Sequence, residues 1–220
     1  TTKMSSKNIN SIMELLGEHF NHLERTTLNR MRKNPDAFKI LISCLLSLRT
    51  QDKNTEIASR NLFQQATTPK EILKLPIKKL EKLIYSSGHY KKKSRVLKSV
   101  SCELLKRFKG KVPSNKEDLL SIKGIGPKTA NIVLSFAFNK QVLPIDTHCH
   151  RIPNRLGWVK TKKPEETEKS LEQILAKKYW KEFNGIFVLF GKTICLPISP
   201  KCSICPINQH CPKINVEKSR

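Results

Sequence analysis

Four cysteines, Cys195, Cys202, Cys205 and Cys211, are separated by six, two and five residues. That spacing gathers four thiols on one loop after a helix. Thiolate sets of this kind hold either structural zinc or an iron–sulfur cluster, and both commonly include a two-residue gap like that between Cys202 and Cys205. The spacing leaves the metal open. Cys44, Cys102 and Cys149 stand singly in apolar stretches and read as packed thiols.

A second loaded segment is Leu119-Leu120-Ser121-Ile122-Lys123-Gly124-Ile125-Gly126-Pro127-Lys128-Thr129-Ala130. Gly124 and Gly126 permit a tight turn and a close approach of backbone to ligand, and Pro127 suits the first position of a following helix. Amides at that helix N-terminus are phosphate donors, so the turn can grip a nucleic-acid backbone and position it without reading a base. An ordinary corner between two helices is the plainer alternative. Lys128 follows directly. A neutral lysine amine is a nucleophile able to form a Schiff base with an aldehyde-like sugar carbon, whereas a charged one is only a phosphate contact. Eighteen residues on, in Ile145-Asp146-Thr147-His148, Asp146 precedes an expected helix. It is an N-cap or, if it faces Lys128, a carboxylate that stabilises an oxocarbenium-like sugar or moves a proton.

The elements that must position these groups are helical. No alternating run of strand length stands out, so an all-α fold is expected, with enough chain in 220 residues for one large domain or two smaller ones. Residues 39–48, KILISCLLSL, are apolar almost all round and predict a central buried helix. Thr68-Pro69-Lys70-Glu71 and Ser114-Asn115-Lys116-Glu117 both read as capping boxes, the second opening a short helix to about Ser121. Further helices are expected near 11–21, 54–65, 78–86, 92–108, 127–138, 147–155, 164–176 and 179–194, with a domain boundary near 140. Four prolines among the cysteines exclude a helix over 196–220, so a metal would have to order that stretch. Thr1–Lys3 precede Met4, read as an extraneous leader and are set aside from the fold.

Forty-two Lys and Arg against 18 Asp and Glu give a net charge of +24. Such a field attracts a polyanion, and counterion release makes nucleic acid the expected partner. No run approaches the roughly 20 apolar residues of a membrane helix and no apolar secretion segment opens the chain, so the reducing cytoplasm is the expected compartment.

Taken together, the LxxIKGIGPKTAN segment, the IDTH segment and the four cysteines resemble the endonuclease III family, over roughly residues 11 to 213. The resemblance implies a DNA glycosylase with abasic-site lyase activity, built from a six-helix barrel that carries the helix-hairpin-helix motif and a second helical domain holding a [4Fe–4S] cluster. Mapped onto this chain, the barrel takes residues 30–141, and both chain ends, 1–29 and 142–220, form the cluster domain. The resemblance, rather than the spacing, selects iron–sulfur over zinc. It implies that Lys128 is the Schiff-base lysine, that Asp146 is the catalytic aspartate and that the four cysteines ligate the cluster. The substrate implied is an oxidised pyrimidine everted from duplex DNA, whose C1′ is out of reach in the stack. A monomer, associated with the nucleoid, is expected.

Leu45-Leu46-Ser47-Leu48-Arg49-Thr50-Gln51-Asp52 is similar to the family segment that enters the duplex, with Arg49 where a glutamine usually fills the gap left by the everted base. Ser87-Gly88-His89-Tyr90 resembles the second inserting loop, with His89 in place of an apolar or aromatic wedge. Lys123 and the glycines of the hairpin, together with Lys91, Lys92, Lys93, Arg95 and Lys201, are expected phosphate contacts. Two other readings follow. A mismatch or adenine glycosylase of the same superfamily is one, although adenine-removing relatives place a glutamate near position 44, generally lack a lysine matching Lys128 and carry a further C-terminal domain. A noncatalytic DNA-binding module is the other.

Overall fold

The computed structural model describes residues 6–20, 31 and 35–220, and among these there are eleven α-helices and no strand. The described residues fall into two compact units, one within Thr26–Lys140 and the other within Thr1–Arg25 plus Gln141–Arg220. No helix among the described residues is long and apolar enough to cross a membrane.

The first unit is organised by α2 (Ala37–Ser47), in which every residue from Ile40 to Leu46 is buried, as its apolar circumference requires. Asp36 caps it, its side chain accepting from the Lys39 amide at 2.9 Å. Around it lie α3 (Asp52–Phe63), α4 (Pro69–Lys74), α5 (Ile77–Leu83), α6 (Tyr90–Phe108), α7 (Lys116–Ser121) and α8 (Pro127–Ala137). Helix α2 packs on α3, α6 and α8, while α6 packs on α4 and α5. The Thr68–Glu71 capping box forms as expected. The other box does not: the cap of α7 is Asn115, whose side chain accepts from the Asp118 amide at 2.8 Å, one residue later than the sequence pattern suggested. Asn115 wins because its Nδ2 also donates to the Asp118 carboxylate at 2.7 Å, a reciprocal pair that Ser114 cannot make.

In the second unit α1 (Ser6–Phe20) and α9 (Thr147–Arg155) pack on α11 (Trp180–Thr193), and α10 (Pro164–Ile174) packs on α9. Phe183, Phe187 and Phe190 of α11 are fully or nearly fully buried, against Ile12 and Leu16 of α1, Ile152 of α9 and Leu171 of α10. Burial contributes roughly 1.5–3 kcal/mol for each such side chain. Gly191 sets how closely α9 and α11 approach: a Cβ there would lie 2.2 Å from His148 Nδ1. Beyond α11 the chain has no α-helix, only short 3₁₀ turns at Cys202–Ile204 and Asn208–His210, as the prolines dictate.

Candidate functional site

The hairpin between α7 and α8 is pinned from below by two buried isoleucines, Ile122 and Ile125, and closed by the Ile125 amide donating to the Ile122 carbonyl at 3.0 Å. Between them Gly124 has φ +105°, a region that disfavours any side chain, and its missing Cβ would meet Val96 Cγ1 at 3.0 Å. This glycine is therefore required twice, by its dihedral and by the closeness of α6. Gly126 is the N-cap of α8 and Pro127 its first residue. Lys123, Gly124, Gly126 and Pro127 are exposed, so the turn that leads into α8 opens at the surface.

Lys128, in the first turn of α8, is half-buried, and its neighbours on both sides of the chain differ sharply: Pro127 is exposed and Thr129 buried. Thr129 Oγ1 accepts from the Cys44 thiol at 3.7 Å, which ties the start of α8 to α2. Burial pushes the Cys44 thiol up from its ordinary range, and the nearby Lys128 ammonium opposes that shift. The lysine thus lies near position 44, where a buried thiol stands.

Two loops of the same unit carry the residues expected to enter DNA. Arg49 (φ +54°) and His89 (φ +44°) are both exposed and both left-handed, an uncommon conformation for residues with a Cβ. Gly88, beside His89, has φ +64°. Tyr85 and Tyr90 pack their rings 4.9 Å apart next to this turn. Of the expected phosphate contacts, Lys91 and Lys92 are exposed on the first turn of α6, but Lys93 is buried and points inward, so it is not a phosphate contact.

In the second unit Asp146 is the N-cap of α9, one carboxylate oxygen accepting from the His148 and Cys149 amides, each at 2.9 Å. The approach to it is fixed by Asn184 of α11, a buried side chain whose amide donates to the Pro144 carbonyl at 2.9 Å. Asp146 is thereby a carboxylate of fixed position, half-buried at the positive end of a helix.

Helix α9 also organises the cysteines, through two arginines that the sequence reading did not single out. Arg155, 7% exposed, donates to the Leu196 carbonyl at 2.6 Å, to the Pro197 carbonyl at 2.7 Å and to Cys195 Sγ at 3.4 Å. Arg151, one turn earlier, donates to the Cys195 carbonyl at 2.7 Å. Their spacing of four on one helix was visible in the sequence, but their partners are carbonyls some 40 residues away, which no local pattern marks. Cys195, Cys202, Cys205 and Cys211 line one pocket with apolar residues and with Arg155, Lys201 and Lys213, and among the described residues no imidazole or carboxylate shares its wall. Burial, followed by the proximity of the other three cysteines, pushes the Cys205 thiol up to about 11, opposed by the Ile207 amide. Burial raises the Cys211 thiol as well, so a strong positive charge is needed to hold this pair as thiolates. Among the described residues no three His, Cys, Asp or Glu are grouped around a single-ion position. Four thiols around one shared pocket are the donor set of an iron–sulfur cluster and of a structural zinc ion alike. Arg155, Lys201 and Lys213 in the wall would offset the net negative charge of a bound tetrathiolate cluster.

A helical fold with a hairpin of this kind defines a class. Residues 42–177 match the HhH-GPD superfamily of base-excision DNA repair proteins, and residues 195–211 match the iron–sulfur binding domain of endonuclease III. The chain is 47% identical over 182 residues to endonuclease III of Thermotoga maritima, covering 83% of this chain and 85% of that protein. It is 38% identical over 178 residues to the mouse endonuclease III-like protein 1, covering 80% of this chain but only 59% of the longer mouse protein. Its fold is similar to that of a non-covalent endonuclease III–DNA complex, with a TM-score of 0.85, 28% identity and 96% of each chain covered. A trapped endonuclease III–DNA covalent intermediate, an estranged-adenine complex, gives a TM-score of 0.83 at 28% identity, covering 96% of this chain and 97% of that one. The chain belongs to the endonuclease III family. It is accordingly a DNA-binding base-excision repair enzyme, a glycosylase with abasic-site lyase activity that carries a [4Fe–4S] cluster.

Proposed function

We propose that the enzyme removes oxidised pyrimidines from duplex DNA and then cuts 3′ to the resulting abasic site through a Schiff base on Lys128. The Lys128 ammonium first gives up a proton, and the freed Nζ attacks C1′ of the everted nucleotide. The new C–N bond replaces the glycosidic bond, whose electron pair leaves with the base, and Asp146 stabilises the positive charge that develops on the sugar. Ring opening gives an imine, and loss of a C2′ proton then expels the 3′-phosphate by β-elimination. In the proposed complex the hairpin amides around Gly124 and Gly126, with Lys123, Lys91 and Lys201, hold phosphates. Arg49 hydrogen-bonds the base left unpaired, and His89 wedges the adjoining step.

The observation that carries this reading is the setting of Lys128. A half-buried amine in the first turn of the hairpin helix, near a buried thiol, supports a nucleophilic role toward a strand bound at that turn. The likeness to a trapped covalent complex supports it. The cluster, held by Cys195, Cys202, Cys205 and Cys211, supplies order to the C-terminal segment and positions Lys201. A monomer acting on nucleoid DNA in the cytoplasm completes the proposal.

A lesion panel tests it. Duplexes bearing thymine glycol, dihydrothymine, 8-oxoguanine or a mismatched thymine or adenine, each opposite all four bases, are incubated with the protein and the strand products resolved. Cleavage concentrated on the oxidised pyrimidines is expected. Preference for a mismatch would replace this substrate assignment, and tight binding with no cleavage would favour the noncatalytic reading.

A further inference from the structure

Arg49 and His89 belong to different loops, yet one side chain joins those loops from beneath. Lys93, in the first turn of α6 and 8% exposed, donates to the Leu46 carbonyl at 2.6 Å, to Thr50 Oγ1 at 2.7 Å and to the Ser87 carbonyl at 2.7 Å. The Thr50 hydroxyl in turn donates to the same Ser87 carbonyl. We infer that Lys93 is a positioning residue that locks the Arg49 and His89 loops together, so that both side chains enter the duplex in one fixed register. The inference rests on the proposed reading of Arg49 and His89 as the inserting residues.

Three features of the contact carry it. An ammonium has three protons, and three acceptors, from the end of α2, the Arg49 loop and the turn before His89, converge on it, so its donor capacity is used in full. Leu46 lies in the last turn of α2, where carbonyls lack intrahelical partners, and Ser87 ends the 3₁₀ turn Tyr85–Ser87. Lys93 therefore terminates both elements at once. Each acceptor, finally, is within three residues of a left-handed residue: Leu46 and Thr50 flank Arg49, and Ser87 is two residues before His89. A brace at these points fixes the conformations that aim the two side chains.

The position is a poor one for a lysine on stability alone. It is desolvated, it stands at a helix N-terminus whose dipole disfavours cations, and its hydrogen-bond partners are all uncharged. Burial holds its pKa down at about 8. An apolar residue would fill the same space but take this donor from the Leu46 and Ser87 carbonyls, so the lysine is tied to the geometry it imposes.

The test uses full-length cluster-bearing protein and a duplex with 2-aminopurine opposite a reduced abasic site. Insertion unstacks the aminopurine, and its fluorescence at saturating protein reports the inserted geometry, while anisotropy gives affinity separately. K93M is expected to lower the fluorescence amplitude about twofold or more. Affinity should stay within about threefold, because Lys93 touches no phosphate. T50V, which removes the hydroxyl shared by the brace, should lower the amplitude in the same sense by less. R49A and H89A serve as the reference, since both must reduce the amplitude if these residues insert. If neither does, the insertion reading fails. If both do while K93M and T50V keep the native amplitude, the brace is overturned. Should K93M not fold, T50V alone decides by the same criterion.

Discussion

The hairpin and the cysteine segment are both short stretches of irregular chain, yet they are held in opposite ways. The hairpin is seated on apolar contacts: Ile122 and Ile125 are buried, and Gly124 lies against Val96 and Val100 of α6. The cysteine segment has no α-helix, exposes Ile198 and Ile204, and is tied to α9 by arginine donors and backbone carbonyls. Its thiols crowd one another, and burial raises Cys205 and Cys211. The surface proposed to grip the strand is thus shaped by the polypeptide alone, whereas the cysteine segment is a frame that the cluster proposed to bind there would complete.

Removing the cluster sharpens that contrast most strongly. Chelation of iron, or Cys205→Ser, should lower Tm on the order of 10 °C, as expected where metal binding supplies folding free energy. Calorimetry with parallel iron determination checks this, and an iron-free protein with native Tm and DNA affinity would show the cluster to be dispensable. Asp146 comes next, because it caps α9 as well as serving the proposed chemistry. Asn caps as well as Asp, so D146N should keep the fold while slowing single-turnover base removal about 10²-fold. D146A should show the same slowing and also lose ~1 kcal/mol in denaturant unfolding. An unchanged rate in D146N would leave Asp146 as a cap alone.

Gly124→Ala probes the hairpin side. At φ +105° with Val96 Cγ1 at 3.0 Å, a methyl group should cost about 1–3 kcal/mol of stability. Duplex affinity should fall with it, read by anisotropy, and a stable variant with native affinity would contradict the double constraint on this glycine. The smallest effect concerns pH. Lys93, held down at about 8 in the fold, binds fewer protons there than in the unfolded chain until pH passes the ordinary lysine range near 10.5. Its contribution is therefore least favourable below about 8 and improves as pH rises from there toward 10.5. The Tm of native protein relative to K93M should rise over that interval, and a flat difference would contradict a depressed lysine.

What the sequence disclosed follows from where each signal lives. The all-round apolar run of α2, the Thr68 box, the prolines among the cysteines and the Gly-Ile-Gly-Pro turn are local, and the structure forms them where local rules put them. The cap of α7 shifted by one residue because two side chains compete for it and only the Asn115–Asp118 pair is reciprocal. Lys93 read as one more cation in a basic run. Its inward turn depends on carbonyls of Leu46 and Ser87, and a carbonyl has no sequence signature. Arg151, Arg155 and Asn184 escaped notice for the same reason, each being defined by distant backbone.

Borohydride reduction during incubation with abasic-site duplex addresses the proposed nucleophile most directly. The native protein should form a covalent protein–DNA adduct that survives denaturing electrophoresis. Lys128→Ala, folded and still binding the duplex, should form none and lose strand cleavage about 10³-fold or more. An adduct of undiminished yield in that variant would assign the chemistry to another amine and contradict the account.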